Sequence, residues 1–581
     1  MANDRNIPAK ANSSTVTFTV KIGGQAIPKT FEVFALTVVK EANRISFAKV
    51  VLIDGDPSKQ TFIASNDALF IPGKEIELFA GHQSQEDLIF KGIIVTHSIS
   101  MRRSSSQLKI ECKDKAFKMT MGRKSHYFKE VKDSDLISDL ARQYGLKADA
   151  EDTNPKHPEL VQYDVSDWDF MLSRADLNGK LIFVNDGNLA AKAPDYNQTP
   201  VLNLQYGATI KEFDAEIDAR HQYAAVKAQA WDYANQELLE VDAQEPKVKP
   251  NGNLKPKDLA DVHGLKTFVL RHSGKLPQQE LQTWANACWQ KSRMALCRGR
   301  VKFDGFAKVK PGDLIKLQGL GDRFNGNVFV SGVRQDVAEG TWTTDVQFGM
   351  DSEWAIERFA TPAGTASLLP SVQGLYIGIV SQLEKDPDGE DRILVKIPII
   401  DKAEEGTWAR MACLDAGNNR GSFFRPDVGD EVLVGFINND PRDAIVLGML
   451  NSKAKPAPLQ ASDDNKEKGF FFKSKMKMLF NEEDKTMSFE TPGGNKILLS
   501  EKDKGIFIQD QNGNKLMLNK DGITLESSKK LILKATSGDI EMEGMNVKQK
   551  ASAQFKAEGS AGIEVSSSAI AVFKGSLVQI N

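Results

Sequence analysis

Cysteine is scarce: only Cys112, Cys288, Cys297 and Cys413 occur among 581 residues. They are too scattered for a disulfide framework or a zinc pattern, and a reducing site of synthesis is the default. No stretch nears the ~18 uninterrupted apolar residues of a spanning helix. The opening MANDRNIPAKANSSTVTF lacks the apolar core of a secretory signal. The chain is therefore expected to be made in the cytoplasm and to stay soluble there, leaving the cell only if other proteins export it. An excess of one charge is also missing. Lys+Arg 75 against Asp+Glu 78 leaves −3, so no basic field argues for nucleic acid. The seven histidines (His82, His97, His126, His157, His221, His263, His272) are scattered without the i, i+4 spacing of a helical metal pair. They read as surface or turn residues, and no metal or cofactor is expected. No Gly-x-Ser-x-Gly elbow, phosphate loop or Cys/His pair argues for nucleophilic catalysis.

What is present is an ordinary globular balance, 41% hydrophobic and 26% charged, in a 64.1 kDa chain too long for one core. Most of the first 350 or so residues read as strands: segments 15–22, 47–53, 75–80 and 108–112 alternate apolar and polar residues. Two helices interrupt them. Residues 133–144 place Leu136, Ile137, Leu140 and Ala141 on one face and stop at Gly145; residues 277–296 start at a proline and bury Leu281, Trp284, Cys288 and Leu296. Residues 241–264, rich in Pro, Lys, Asn and Gly, read as an exposed loop. A linker near 355–373 precedes four strand-like runs at 376–383, 392–400, 431–437 and 444–450, a pattern that fits a small OB-type barrel with Trp408 closing one end. Asp386, Asp388 and Asp391 lie in a hairpin turn rather than a calcium loop, because the full ligand spacing is missing. Gly319, Gly321 and Gly326 sit among strands with no following helix, unlike a dinucleotide loop, and Gly299 reads as a helix C-cap.

The last 110 or so residues differ in kind. No His follows His272, no Trp follows Trp408 and no Pro follows Pro492. Apolar-x-apolar triplets recur about every eight residues: Leu516/Leu518, Ile523/Leu525, Leu531/Leu533, Ile540/Met542, Met545/Val547, Phe555/Ala557, Ile563/Val565, Ile570/Val572 and Val578/Ile580. Such a unit makes one short strand and a turn, with one apolar face and two bare edges. A single-chain solenoid needs three strands per coil, about 24 residues, and no such longer repeat is evident. Three chains wound round one axis bury the same face with an eight-residue unit. The expected axis residues are Leu516, Leu518, Ile523, Leu525, Leu531, Leu533, Ile540, Met542, Val547, Phe555, Ile563, Val565, Ile570 and Val572.

Several ordered motifs resemble the VgrG family of spike proteins from contractile injection machines. They are the segment Gln162–Arg174 followed by Gly179; Val309–Asp313 and Gly321–Gly326 with Phe329-Val330; and, in the barrel, Gly378-Ile-Val, Asp386-Pro, Arg392–Val395, Trp408-Ala-Arg410, Ala416-Gly417, Pro426–Val432 and Gly448. Each motif alone is weak, but they fall in the family's order over nearly the whole chain. The resemblance implies a mainly β protein. Residues 1–370 would form a tail-hub-like domain of two β-barrels with short helices, 374–451 an OB-fold barrel, 452–469 a linker, and 470–581 an intertwined triple-stranded β-helix needle built by a trimer.

The implied function is structural: a homotrimeric hub and spike at the tip of an inner tube, driven through a target envelope by sheath contraction. Implied partners are inner-tube and baseplate proteins, a PAAR-type tip cap, an effector cargo and, only transiently during puncture, the target membrane. The expected cap seat is Ser576, Leu577, Val578, Gln579, Ile580 and Asn581, because no histidine-held metal tip, toxin domain or aromatic plug is seen there. The particle would act outside the cell or in a target cell. Two rival readings are a spike-borne cell-wall hydrolase, for which no segment offers a cleft-forming domain with paired carboxylates, and a trimeric tail fibre or adhesin, which usually adds a receptor-binding head.

Overall fold

The computed structural model describes residues 15–580, apart from 104, 233–234, 236, 273–275, 359–364, 366–368 and 401–405. The chain divides into two units, Met1–Asn451 and Ser452–Asn581.

In the first unit, period-two patterning builds a 13-stranded sheet. Strand Phe47–Ile53 shows the rule: Ala48, Val50 and Leu52 are fully buried while the residues between them face outward. The long strand Gly326–Ala338 pairs with Thr341–Phe348 on one edge and with Val33–Glu41 on the other. That double pairing joins the two halves of the hub into one continuous ladder. The two hub barrels expected from the sequence therefore do not emerge as two closed ladders. Two separate apolar cores do flank the ladder, one around Leu36, Val50, Phe70, Leu78 and Ile110, the other around Leu204, Val301, Phe303, Ile315 and Val346.

Helix Asp133–Gln143 buries the expected Leu136, Ile137, Leu140 and Ala141, and Gly145 follows it with φ +72°. Helix Gln278–Met294, entered through Pro277, buries Leu281, Trp284 and Cys288. A third helix, Asp167–Leu177, is buried on every side, so no amphipathic stripe marks it in the sequence; Ser166 caps it by accepting from the Asp169 N–H. Two further one-turn helices depart from the sequence reading. Pro256–Ala260 lies inside the expected 241–264 loop, and Gly321–Phe324 begins at the second of the glycines at 319 and 321. Gly299 is not a helix cap. It sits in strand Cys297–Asp304, where an added Cβ would lie 2.3 Å from the Asp214 carbonyl oxygen, so close strand approach requires the glycine. At both ends of the segment expected to be a linker near 355–373 the chain is packed, with Trp354, Ala355, Ile356, Leu369 and Val372 all buried; 359–364 and 366–368 lie outside the described residues.

Residues Tyr376–Gln382, Ile393–Lys396, Thr407–Met411, Ala444–Met449 and Glu431–Phe436 form a barrel, the one closed ladder among the described residues. Val380, Val395, Ala409, Val432, Val434 and Val446 fill it. The same core takes in Tyr127 and Val161 from the paired hub strands Lys124–Lys132 and Lys156–Val165, so barrel and hub share apolar packing. Trp408 does not plug the barrel. Alternation turns Ala409 inward and leaves Trp408 half-buried outside the core, opposite Leu394.

In the second unit, seven five-residue strands from Glu467–Phe471 to Gly522–Glu526 form an antiparallel meander, each strand paired with its neighbours in sequence. Beyond Glu526 the described residues up to 580 contain no strand.

Candidate assembly interface

Register fixes which side chains share a face of the meander. Phe470, Met478, Phe489, Ile497, Ile508, Leu516 and Leu525 are successive cross-strand partners and form one row. Phe480, Met487, Leu499, Ile506, Leu518 and Ile523 form a second row on the same side. The face is thus almost wholly apolar, and among the described residues it is left open: Phe489 and Ile497 are each 41% exposed. The opposite face mixes a central apolar line (Leu479, Leu498, Phe507, Met517) with polar flanks. There Glu490 meets Lys477 at 2.8 Å and Lys496 at 3.1 Å. A sheet with one bare apolar side is an interface or an aggregation hazard.

Of the residues expected on a trimer axis, Leu516, Leu518, Ile523 and Leu525 lie in strands that pair within the chain. Their backbone differs from the intertwined needle expected from 470 onward. The reason is turn chemistry. Up to 526, Asn, Asp and Gly fold the chain back after each strand; Asp510, for example, accepts from the Asn512 and Asn514 N–H groups at 2.8 and 2.9 Å. Leu531, Leu533, Ile540, Met542, Val547, Phe555, Ile563, Val565, Ile570 and Val572 follow in the unpaired stretch, and all are exposed. So are Leu577, Val578 and Ile580 of the expected cap seat, together with Ser576 and Gln579; Asn581 lies outside the described residues. Met545 and Phe573, both exposed, add to this apolar surface although the axis assignment omitted them.

A dense buried polar constellation lies in the first unit, where hub meets barrel. Arg174 from helix Asp167–Leu177 grips Asp133 at 2.7 and 3.0 Å and reaches Glu280 at 3.4 Å. Arg442, from the barrel, donates to both Glu280 oxygens at 2.7 Å and to both Asp440 oxygens at 3.1 and 2.9 Å. His157 Nε2 lies 3.2 Å from Asp133 and His272 Nε2 lies 3.2 Å from Asp440. Burial by itself would raise the carboxyls of Asp133, Glu280 and Asp440, but the arginine charges, together with the charge and hydrogen bonds of the neighbouring arginine and histidine side chains, outweigh it and hold all three below the ordinary range. His157 and His272 are therefore core residues, not the surface or turn histidines expected. Their partners come from distant segments, so local spacing carried no sign of them.

In the barrel turn, Arg392 pairs with two of the three aspartates. Its guanidinium is 2.6 Å from Asp386 and 2.5 Å from Asp388. Among the described residues no group of three or more His, Cys, Asp or Glu could hold a metal ion.

Residues 12–339, more than half of the chain, match the family described as the Alg8 N-terminal domain. The chain belongs to that family. Downstream of this Alg8-type region, residues 376–450 match the type VI secretion system/phage-baseplate injector OB domain, and residues 486–581 match the phage baseplate V C-terminal trimerisation domain. No curated protein matches the chain. Among solved structures it is similar to chains of a Francisella PdpA–VgrG complex. The lidded form is 11% identical with a TM-score of 0.51, covering 90% of this chain and 81% of that one. The half-lidded form is 10% identical with a TM-score of 0.50, covering 90% and 89%. A lidless PdpA–VgrG complex gives 10% identity and a TM-score of 0.50 over 90% of this chain and 100% of that one. At such identities the likeness is one of fold. Together the two downstream matches place this Alg8-type chain among the spike and hub components of contractile injection systems.

Proposed function

We propose that the chain is a VgrG-type spike, a homotrimer seated at the tip of an inner tube. The observation that carries this reading is residues 527–580. They are rich in apolar triplets and lie in the stretch matching a trimerisation domain, yet the chain offers them no ladder of their own. Backbone N–H and C=O groups left that way must bond to water or to another chain, and apolar triplets favour the second. Three chains supply one another with edges and close the triplets round an axis.

The role is mechanical. A sheath made of other proteins contracts, and the hub passes the thrust to the needle, whose cross-chain hydrogen bonds let no single strand peel alone. Hub residues contact inner-tube and baseplate proteins. Leu577, Val578 and Ile580 seat a small cap of the PAAR type, which bears the point and can carry an effector, so that the assembly acts outside the producing cell or inside a target cell. The test of the cap seat is deletion of 576–581. The trimer should persist and co-purification of the cap should be lost; a truncated spike that keeps its cap at full occupancy contradicts this seat.

A further inference from the structure

A cavity of about 590 Å³ opens on the hub beside the turn Lys310-Pro311-Gly312, a size that suits a small ligand or a few residues of chain. One wall is a three-stranded sheet in the order Leu181–Asn185, Asn188–Lys192, Lys147–Ala150, so the last strand is an edge. Phe183 and its cross-strand partner Ala190 are half-buried on the open side of that sheet, while Val184 and Leu189 turn into the core behind it. The turn closes on the ring. A Cβ added at Gly312 would lie 3.2 Å from Phe183 Cζ, and the φ of +99° there also calls for glycine. Phe183 and Pro311 make the apolar part of the cavity.

The charges around it do not cancel. Asp149 is taken by Lys192 at 2.6 Å, Glu41 by Arg44 at 3.1 Å, and Glu151 by Lys180 and the Ala193 N–H. Lys147 and Lys310, which also line the cavity, have no ion pair among the described residues. Against these two stands one unpaired carboxylate, Asp195, which accepts from the Asn197 N–H of its own turn at 2.8 Å. The Lys310 charge also reaches inward: burial first, and that charge after it, hold the amine of Lys40 below the ordinary lysine range.

We infer that this groove takes an acidic peptide segment of a partner protein, with an apolar side chain against Phe183 and Pro311 and carboxylates before Lys147 and Lys310. Charge complementarity selects an acidic occupant, since two free ammonium groups face one free carboxylate. The wall selects a peptide. Lys147, Ala148 and Asp149 of the edge strand run along the groove, and an edge offers its backbone groups to an extended chain. Every lining residue belongs to one chain, so the inference does not depend on the homotrimer reading.

The experiment uses the full-length chain and fluorescein-labelled peptides read by fluorescence anisotropy. The peptide Asp-Glu-Phe-Asp-Glu should bind saturably, with a Kd below about 1 mM. Lys147→Glu with Lys310→Glu should weaken it at least tenfold; both side chains are exposed, so the circular dichroism of this variant should match wild type. Lys29→Glu, an exposed hub lysine that does not line the groove, should change binding less than twofold. On the wild-type chain, Asp-Glu-Ser-Asp-Glu should bind at least tenfold more weakly than the phenylalanine peptide. No saturable binding by wild type, or an equal loss in Lys29→Glu, overturns the inference. Equal binding of the serine peptide does the same, because it removes the apolar seat. Phenylacetate that displaces the peptide at equal concentration would show a small-molecule pocket and overturn the peptide assignment. Each of these results leaves the homotrimer reading standing.

Discussion

Replacing Arg442 with Met should loosen the hub–barrel junction more than any single surface change. Arg442 satisfies both oxygens of Glu280 and both of Asp440, and those two carboxylates are each about 1% exposed. With the guanidinium gone, Glu280 keeps Arg174 at 3.4 Å and the His157 ring at 3.9 Å, and Asp440 keeps His272 at 3.2 Å. Breaking a buried ion pair from one side costs about 3–5 kcal/mol, because the remaining charge stays desolvated. Since ~1.4 kcal/mol is a factor of ten, amide protection in helix Gln278–Met294 and barrel strand Glu431–Phe436 should fall by about a hundredfold or more in hydrogen-exchange measurements. Adding Glu280→Gln should restore part of the loss, as it removes the stranded charge. The control is Lys59→Met, where loss of the exposed pair with Asp56 should leave that protection unchanged. An Arg442→Met protein within about 1 kcal/mol of wild type would refute the claim that this cluster ties barrel to hub.

Leu531→Asp would set three carboxylates against one axis at a cost of several kcal/mol each, so trimer should be lost on size-exclusion chromatography with light scattering, whereas Lys534→Asp should be tolerated. Asp386 gives an acid-sensitive limb. Burial alone would raise its carboxyl, but hydrogen bonds and the charge of Arg392 hold it at about 2, below the ~3.9 of an unfolded aspartate. Its contribution is therefore complete above pH ~4 and is lost as pH falls toward about 2; urea midpoints measured from pH 5 down to 2 should flatten over that window in Asp386→Asn.

How much could be read in the sequence followed the range of the interactions. Strand Phe47–Ile53 and helix Asp133–Gln143 were legible because burial there is periodic along the chain. Helix Asp167–Leu177 was not, since burial on all sides erases the stripe. The Arg442–Glu280 junction was invisible for another reason: its partners stand far apart in sequence and only packing brings them together. The apolar triplets signalled a partner-dependent segment, but the eight-residue period was extended too far back. Between 467 and 526 the turns, not the apolar spacing, decide that strands pair within the chain. Gly299 shows the same limit at a single residue, because the carbonyl that excludes a side chain there belongs to a strand more than eighty residues earlier.

The central claim is that residues 527–580 find their ladder in two other copies of the chain. The direct measurement is the mass of the intact, full-length protein in solution, by native mass spectrometry, combined with hydrogen exchange over that segment. The account predicts three times the 64.1 kDa chain, with amides of 531–572 strongly protected. A single-chain mass with the same amides protected would contradict it, because the segment would then have built its ladder alone.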